Sequence, residues 1–252
     1  MSEFVKKLDN ISLGVGRAIG FGAVGKSKTP PLMLVACLTR LDEDQSKVAI
    51  SGKADALLYD IKDVAGQANT IANLAENDAK IPWGVRVQKA DIEGMNRLAE
   101  VGCDFVILDA EAAACVLSEE KIGKVLEVGR SLEDGLARAI GQLSVDALLL
   151  EEDRQSGSLT INQLLNYHRL SGLAGKPSLV ALPRELSDLE ALLDVGVKGV
   201  VMELIGKDME LRLKEVREAI QGLRGLKKKK MKNGSHALLP SVHDIDEIEI
   251  EY

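Results

Sequence analysis

The stretch that decides the fold is Asp104-Phe105-Val106-Ile107-Leu108-Asp109. A charge opens it, four apolar residues follow, and an acid closes it. The same frame returns as Asp55-Ala56-Leu57-Leu58-Tyr59-Asp60, Asp146-Ala147-Leu148-Leu149-Leu150-Glu151 and Lys198-Gly199-Val200-Val201-Met202-Glu203. Unbroken apolar runs of this length read as strands buried on both faces, because a half-exposed strand would alternate. Working outward gives eight such runs: 32–38, 54–59, 82–87, 104–108, 137–143, 146–150, 178–182 and 199–204. Helix-like sequence lies between most of them. Ile92, Met95, Leu98 and Ala99 recur at helical spacing, and 159–173, 186–195 and 210–226 behave likewise. Strands alternating with helices form parallel βαβ units, and eight of them favour closure into a single (β/α)8 TIM barrel. The charged frame then falls on strands two, four, six and eight, as layering by alternate strands requires. Buried strands also start and stop on polar residues without any repeat, so internal repetition stays open.

The least comfortable spacing lies between the fifth and sixth runs, where no helix fits after Leu143. Residues 112–129 and 132–140 can divide differently between helix and strand. Outside the barrel, taken as 32–226, residues 1–31 are glycine-rich and end in Pro30-Pro31; they read as a leader covering the bottom of the barrel. Residues 227–252 read as a charged tail, with Lys227–Lys230 and Lys232 followed by an acidic stretch from Asp244 to Glu251.

Composition narrows the class. At 252 residues the chain has the usual size for one barrel. Aromatics are only 3%, so the core must be aliphatic. A net charge of −7 argues against nucleic acid as a partner. Cys37, Cys103 and Cys115 form no CxxC pair, which points to a reducing, cytoplasmic setting. The N-terminus lacks the apolar segment of a signal peptide, and no run is long enough for a membrane helix. A homo-oligomer stays open.

In this fold, chemistry sits at the C-terminal ends of strands. There the sequence supplies Thr39 and Arg40, Asp60 and Lys62, Arg86 and Gln88, Asp109 and Glu111, Gln142, Glu151 and Glu152, Arg184, and Glu203. Four acids at one mouth cannot all ionise without a cation, a shared proton or an arginine between them. Arg86, inside a strand, must pair with acids or meet an anionic ligand. The expectation is Asp109, Glu151 and Arg86 as catalytic residues, with Arg86, Thr39, Gln142 and Arg184 binding substrate. Asp60, Asp109 and Glu203 are hard-oxygen ligands suited to Mg²⁺ or Mn²⁺. An acid after a strand is also a natural cap for the next helix, so each has a structural reading too.

Gly20-Phe21-Gly22-Ala23-Val24-Gly25-Lys26-Ser27 satisfies the phosphate-binding pattern GxxxxGK[ST]. Its context is poor: Lys28-Thr29-Pro30-Pro31 follows where a helix should open, and the glycines before it make a weak strand. His168, His236 and His243 are too few and scattered for a histidine metal site.

Glu100–Asp109 and Asp194–Val201 resemble the helix-to-strand passages of phosphate-binding barrels. That resemblance implies a TIM barrel and a phosphate cradle after strands seven and eight. The cradle's glycines are missing here: strand seven ends Leu182-Pro183-Arg184 and strand eight ends Met202-Glu203-Leu204-Ile205-Gly206, leaving Arg184 and Lys207 as the nearby cations. The functional expectation is a lyase, aldolase or isomerase acting on a small anionic metabolite. Two rivals stand beside it: a non-catalytic barrel that engages partners through its charged tail, and a nucleotide-binding protein using residues 20–27.

Overall fold

A computed structural model describes residues 2–14, 29–39, 43–61, 81–87, 91–151, 158–206 and 208–233. Eight parallel strands close into one barrel in chain order. They are β1 (Met33–Leu38), β2 (Ala56–Ile61), β3 (Trp83–Val87), β4 (Phe105–Leu108), β5 (Gly123–Val128), β6 (Ala147–Leu150), β7 (Ser178–Ala181) and β8 (Gly199–Glu203). The described helices are α1 (Glu3–Gly14), α2 (Glu43–Ser51), α3 (Ile92–Glu100), α4 (Asp134–Ile140), α5 (Ile161–Ala174), α6 (Leu189–Asp194) and α7 (Met209–Asn233). The chain is thus an α/β TIM barrel. Among the described residues no helix is long and apolar enough to cross a membrane. The 20–27 motif, the tail from 234 to 252, Arg40, Lys62, Gln88, Glu152 and Lys207 lie outside the described residues.

Alternation along each strand splits the apolar residues between two cores. One set faces the barrel axis, with Val35 and Cys37 from β1, Ala56 and Leu58 from β2, and Ile107, Val125 and Leu149 from later strands. The other set, including Leu34, Leu57, Val85, Val106, Leu148 and Val200, faces the surrounding helices. This is why the strands read as continuous apolar runs.

Helix α1 fills the N-terminal end of the barrel. Phe4, Val5, Leu8 and Ile11 join the inward core, and Phe4 stacks on Phe105 with ring centroids 4.0 Å apart. Two inward glycines make room for this arrangement. A Cβ on Gly84 would come within 2.3 Å of the Phe105 carbonyl, and one on Gly123 within 2.7 Å of Val5.

The recurring charged frame now has a physical basis. An odd spacing of five turns its two ends to opposite faces of the strand. The leading acids stay at the N-terminal end and satisfy backbone groups of neighbouring elements. Asp55 accepts from Leu34 N at 2.8 Å and from Arg217 at 2.9 Å, and Asp146 accepts from Lys124 N at 2.7 Å. Asp104 accepts from Ser2 Oγ, Glu3 N and Phe4 N at the start of α1. The trailing acids share the parity of the axis-facing residues and therefore rise into the mouth.

One strand differs from the sequence expectation. Residues 137–143 are not the fifth strand; α4 occupies 134–140, and β5 is Gly123–Val128. Within α4 only Ala137 and Ile140 are buried, three apart on one face, as a short helix on a barrel demands. In β5 the charged residues Lys124 and Glu127 interrupt the apolar run. Both have reasons to be there: the Lys124 ammonium donates to the Glu119 carbonyl, and Glu127 faces the mouth.

Candidate active site

Strand register places the mouth. Asp60 of β2 pairs with Arg86 of β3, Glu127 of β5 with Leu149 of β6, and Cys37 of β1 with Glu203 of β8. Asp60, Arg86, Glu127 and Glu203 share the inward parity, and Asp109 and Glu151 continue it just past β4 and β6.

Arg86 is the centre of the arrangement. Its side chain is 19% exposed and spans from β2 to β5 across β4. Nη1 lies 4.0 Å from Asp60 Oδ2, and Nη2 lies 3.7 Å from Glu127 Oε1. Both separations are ion-pair contacts, too long for hydrogen bonds. Nε is fully enclosed and has no acceptor among the described residues. A guanidinium carries five N–H donors, so this one keeps its bonding capacity while its charge is offset.

Glu127 is the functional residue that sequence reading missed. Burial pushes its carboxyl above the ordinary range. Arg86 opposes that rise, while Glu151, Asp60 and Asp109 reinforce it. The signal was the long gap between strands four and six, which needs another strand, together with an acid near the end of the short run 123–128.

The other expected residues separate. Asp109 is half-buried, and its Oδ1 accepts from Glu111 N at 3.0 Å, so it also shapes its own turn. Glu151 is exposed, with its carboxylate above the end of β5; Oε2 would lie 3.8 Å from a Cβ at Gly129. Thr39, Glu203 and Arg184 are exposed beyond β1, at the end of β8 and beyond β7. The Arg184 carbonyl accepts from Arg212. Gln142 requires correction. It follows α4 and precedes β6, at the opposite end of the barrel from the mouth, because the run 137–143 is helix and turn. Among the described residues no three His, Cys, Asp or Glu side chains come together in a way that could hold a metal ion, and this includes Asp60, Asp109 and Glu203. Cys37 and Cys103 are buried, and desolvation raises the Cys103 thiol far above its normal range, so it is no nucleophile.

No protein-family model matches the chain, and no curated protein matches it. Solved structures do. Thiamine phosphate pyrophosphorylase from Pyrococcus furiosus aligns with a TM-score of 0.57 at 15% identity, covering 76% of this chain and 96% of that one. Phosphoribosyl anthranilate isomerase from Thermus thermophilus aligns at 0.60 and 16% identity, covering 77% and 100%. A mutant tryptophan synthase alpha-subunit from Pyrococcus furiosus aligns at 0.62 and 12% identity, covering 77% and 98%. At these identities the likeness is one of fold: this chain has the architecture of those barrels.

Proposed function

We propose that the barrel is an enzyme whose site is the mouth around Arg86, acting on a small metabolite that carries an anionic group. The observation that carries this reading is the state of Arg86: four-fifths buried, flanked by carboxylates at ion-pair distance, and making no hydrogen bond among the described residues. An enclosed guanidinium without acceptors is costly, and a ligand carboxylate or phosphate would supply them in bidentate geometry. Glu127, with its carboxyl held toward the protonated form beside this anion site, is placed to give or take a proton. Asp109 and Glu151 extend that acid–base set. A proton-transfer reaction of lyase, aldolase or isomerase type is the chemistry such a set serves. The enzymes of like fold include a pyrophosphorylase and an isomerase by name, which agrees with a small-molecule reaction at the mouth. Asp60, Asp109 and Glu203 do not by themselves form a cage for Mg²⁺ or Mn²⁺, so no step is assigned to a metal.

The test is consumption of metabolites. The full chain is incubated with a cell-extract metabolite pool, and the pool is followed by mass spectrometry. Arg86→Gln and Glu127→Gln should each abolish the consumption seen with wild type while the melting transition stays cooperative. Consumption at the wild-type rate in both variants would remove the proposal.

A further inference from the structure

The charges around Arg86 define the substrate more narrowly. We infer that the mouth takes a zwitterionic metabolite, whose anionic group meets Arg86 and whose ammonium lies among the carboxylates of Glu127, Asp109 and Glu151. This inference rests on the mouth being a small-molecule site, as proposed above.

Three observations support it. The first is charge balance. Among the described residues, Arg86 is the single cation of the mouth groups that the strands turn toward the axis, whereas Asp60, Asp109, Glu127, Glu151 and Glu203 are all acids. A dianion entering here would gain one cation and meet several like charges, which disfavours it. A ligand bearing one charge of each sign satisfies the arginine and relieves the acids at once.

The second is position. The enclosed face of Arg86 lies between β2 and β5, and the Glu151 carboxylate overhangs the end of β5 beside Glu127. Cation and acid groups are therefore neighbours on one side of the mouth. Their mutual influence appears in Glu127, which senses Arg86, Glu151, Asp60 and Asp109 together. A short molecule spans such a pair, with its two charged groups separated by a few bonds.

The third lies across the mouth. The β7 and β8 ends carry Leu182-Pro183 and Glu203-Leu204. Proline lacks an N–H and Glu203 is acidic, so among the described residues this side offers a phosphate the exposed Arg184 beyond β7 but no enclosed cation.

The test is a matched series of probes. Linear α- and ω-amino acids of two to six carbons are compared with their N-acetyl derivatives, with the corresponding amines, and with inorganic phosphate and malonate. Binding to the full chain is measured by ligand-observed NMR at low ionic strength, in wild type, Arg86→Gln and Glu151→Gln. Arg86→Lys, which keeps the charge but not the fork of donors, serves if Arg86→Gln fails to fold. The expected result is at least one amino acid that binds tenfold or more tighter than its N-acetyl and amine counterparts. That affinity should fall tenfold or more in either the Arg86 or the Glu151 variant. If phosphate, malonate or N-acetyl probes bind as tightly and in an Arg86-dependent way, the zwitterion inference fails while the anion site stands. Absence of binding by every amino acid at 20 millimolar (about the weak limit of such a site) also overturns the inference. If no probe depends on Arg86 and no metabolite is consumed, both readings fall.

Discussion

Replacing Asp104 by alanine tests whether α1 is locked into the barrel floor as the hydrogen bonds indicate. The Asp104 carboxylate accepts from Ser2 Oγ at 2.7 Å, Glu3 N at 2.8 Å and Phe4 N at 2.8 Å. It thereby caps a helix from outside that helix and meets its positive end. The bond to Glu3 is exposed, and water replaces it at little cost. The bonds to Ser2 and Phe4 are partly enclosed, and hydrogen bonds to a charged group contribute about 1.5–3 kcal/mol each. Ser2 Oγ also accepts from Val5 N at 3.2 Å and can take up part of the capping. The net loss should be about 2–3 kcal/mol. That is less than the burial of Phe4, Leu8 and Ile11, which is worth about 1.5–3 kcal/mol per side chain, so the helix should stay seated with a frayed first turn. For a protein of this size the melting temperature should drop by about 5–10 °C. Amide exchange should accelerate at residues 3–6 and remain slow through Leu8 and Ile11. Asp104→Asn should fall between, keeping an acceptor and losing the charge. An unchanged melting temperature with unchanged exchange in α1 would refute the capping role.

Further outcomes follow from other contacts. Gly84→Ala forces a methyl against a backbone carbonyl at 2.3 Å, and calorimetry should show a loss of about 3 kcal/mol or more, since neither partner can move freely. Asp55→Asn removes the charge opposite Arg217, whose side chain is 9% exposed and whose Nε has no partner among the described residues; a cost of about 3 kcal/mol is expected in denaturant titration. Glu127→Gln should make stability less dependent on pH. Burial raises the folded-state carboxyl above 4.5, so the native protein holds that proton more tightly than the unfolded chain. Wild type therefore loses stability as pH rises from about 4.5 through the folded value, and the loss persists above it. The glutamine variant should be the more stable protein at neutral pH, and this advantage should vanish at pH 4; a constant difference across the range would contradict the burial of Glu127.

The fold was legible because barrel strands are apolar on both faces: six of the eight runs contain an observed strand, and a seventh, 54–59, overlaps β2. The fifth was not, because Lys124 and Glu127 break the run in β5 while Ala137 and Ile140 in α4 lie as close in sequence as strand residues do. Arg86 was recognisable as a charge inside a strand that must be offset, and Asp60 emerged beside it. Glu127, the acid nearest its Nη2, could not be assigned without knowing which segment formed β5. Gln142 was drawn to the mouth by the same misplacement and lies at the other end.

Sequence by itself determined the repeating charge at five-residue spacing, and with it a chain whose acids fall at both ends of its strands. Tertiary structure decided what those acids do. An odd spacing sends the two ends of a strand to opposite faces, so Asp55, Asp104 and Asp146 satisfy backbone groups at the closed end while Asp60, Asp109 and Glu151 rise at the open one. Only closure of the barrel brings β2, β3 and β5 near enough for Asp60 and Glu127 to flank one guanidinium from two sides, because residues far apart in the chain meet there through the curvature of the sheet.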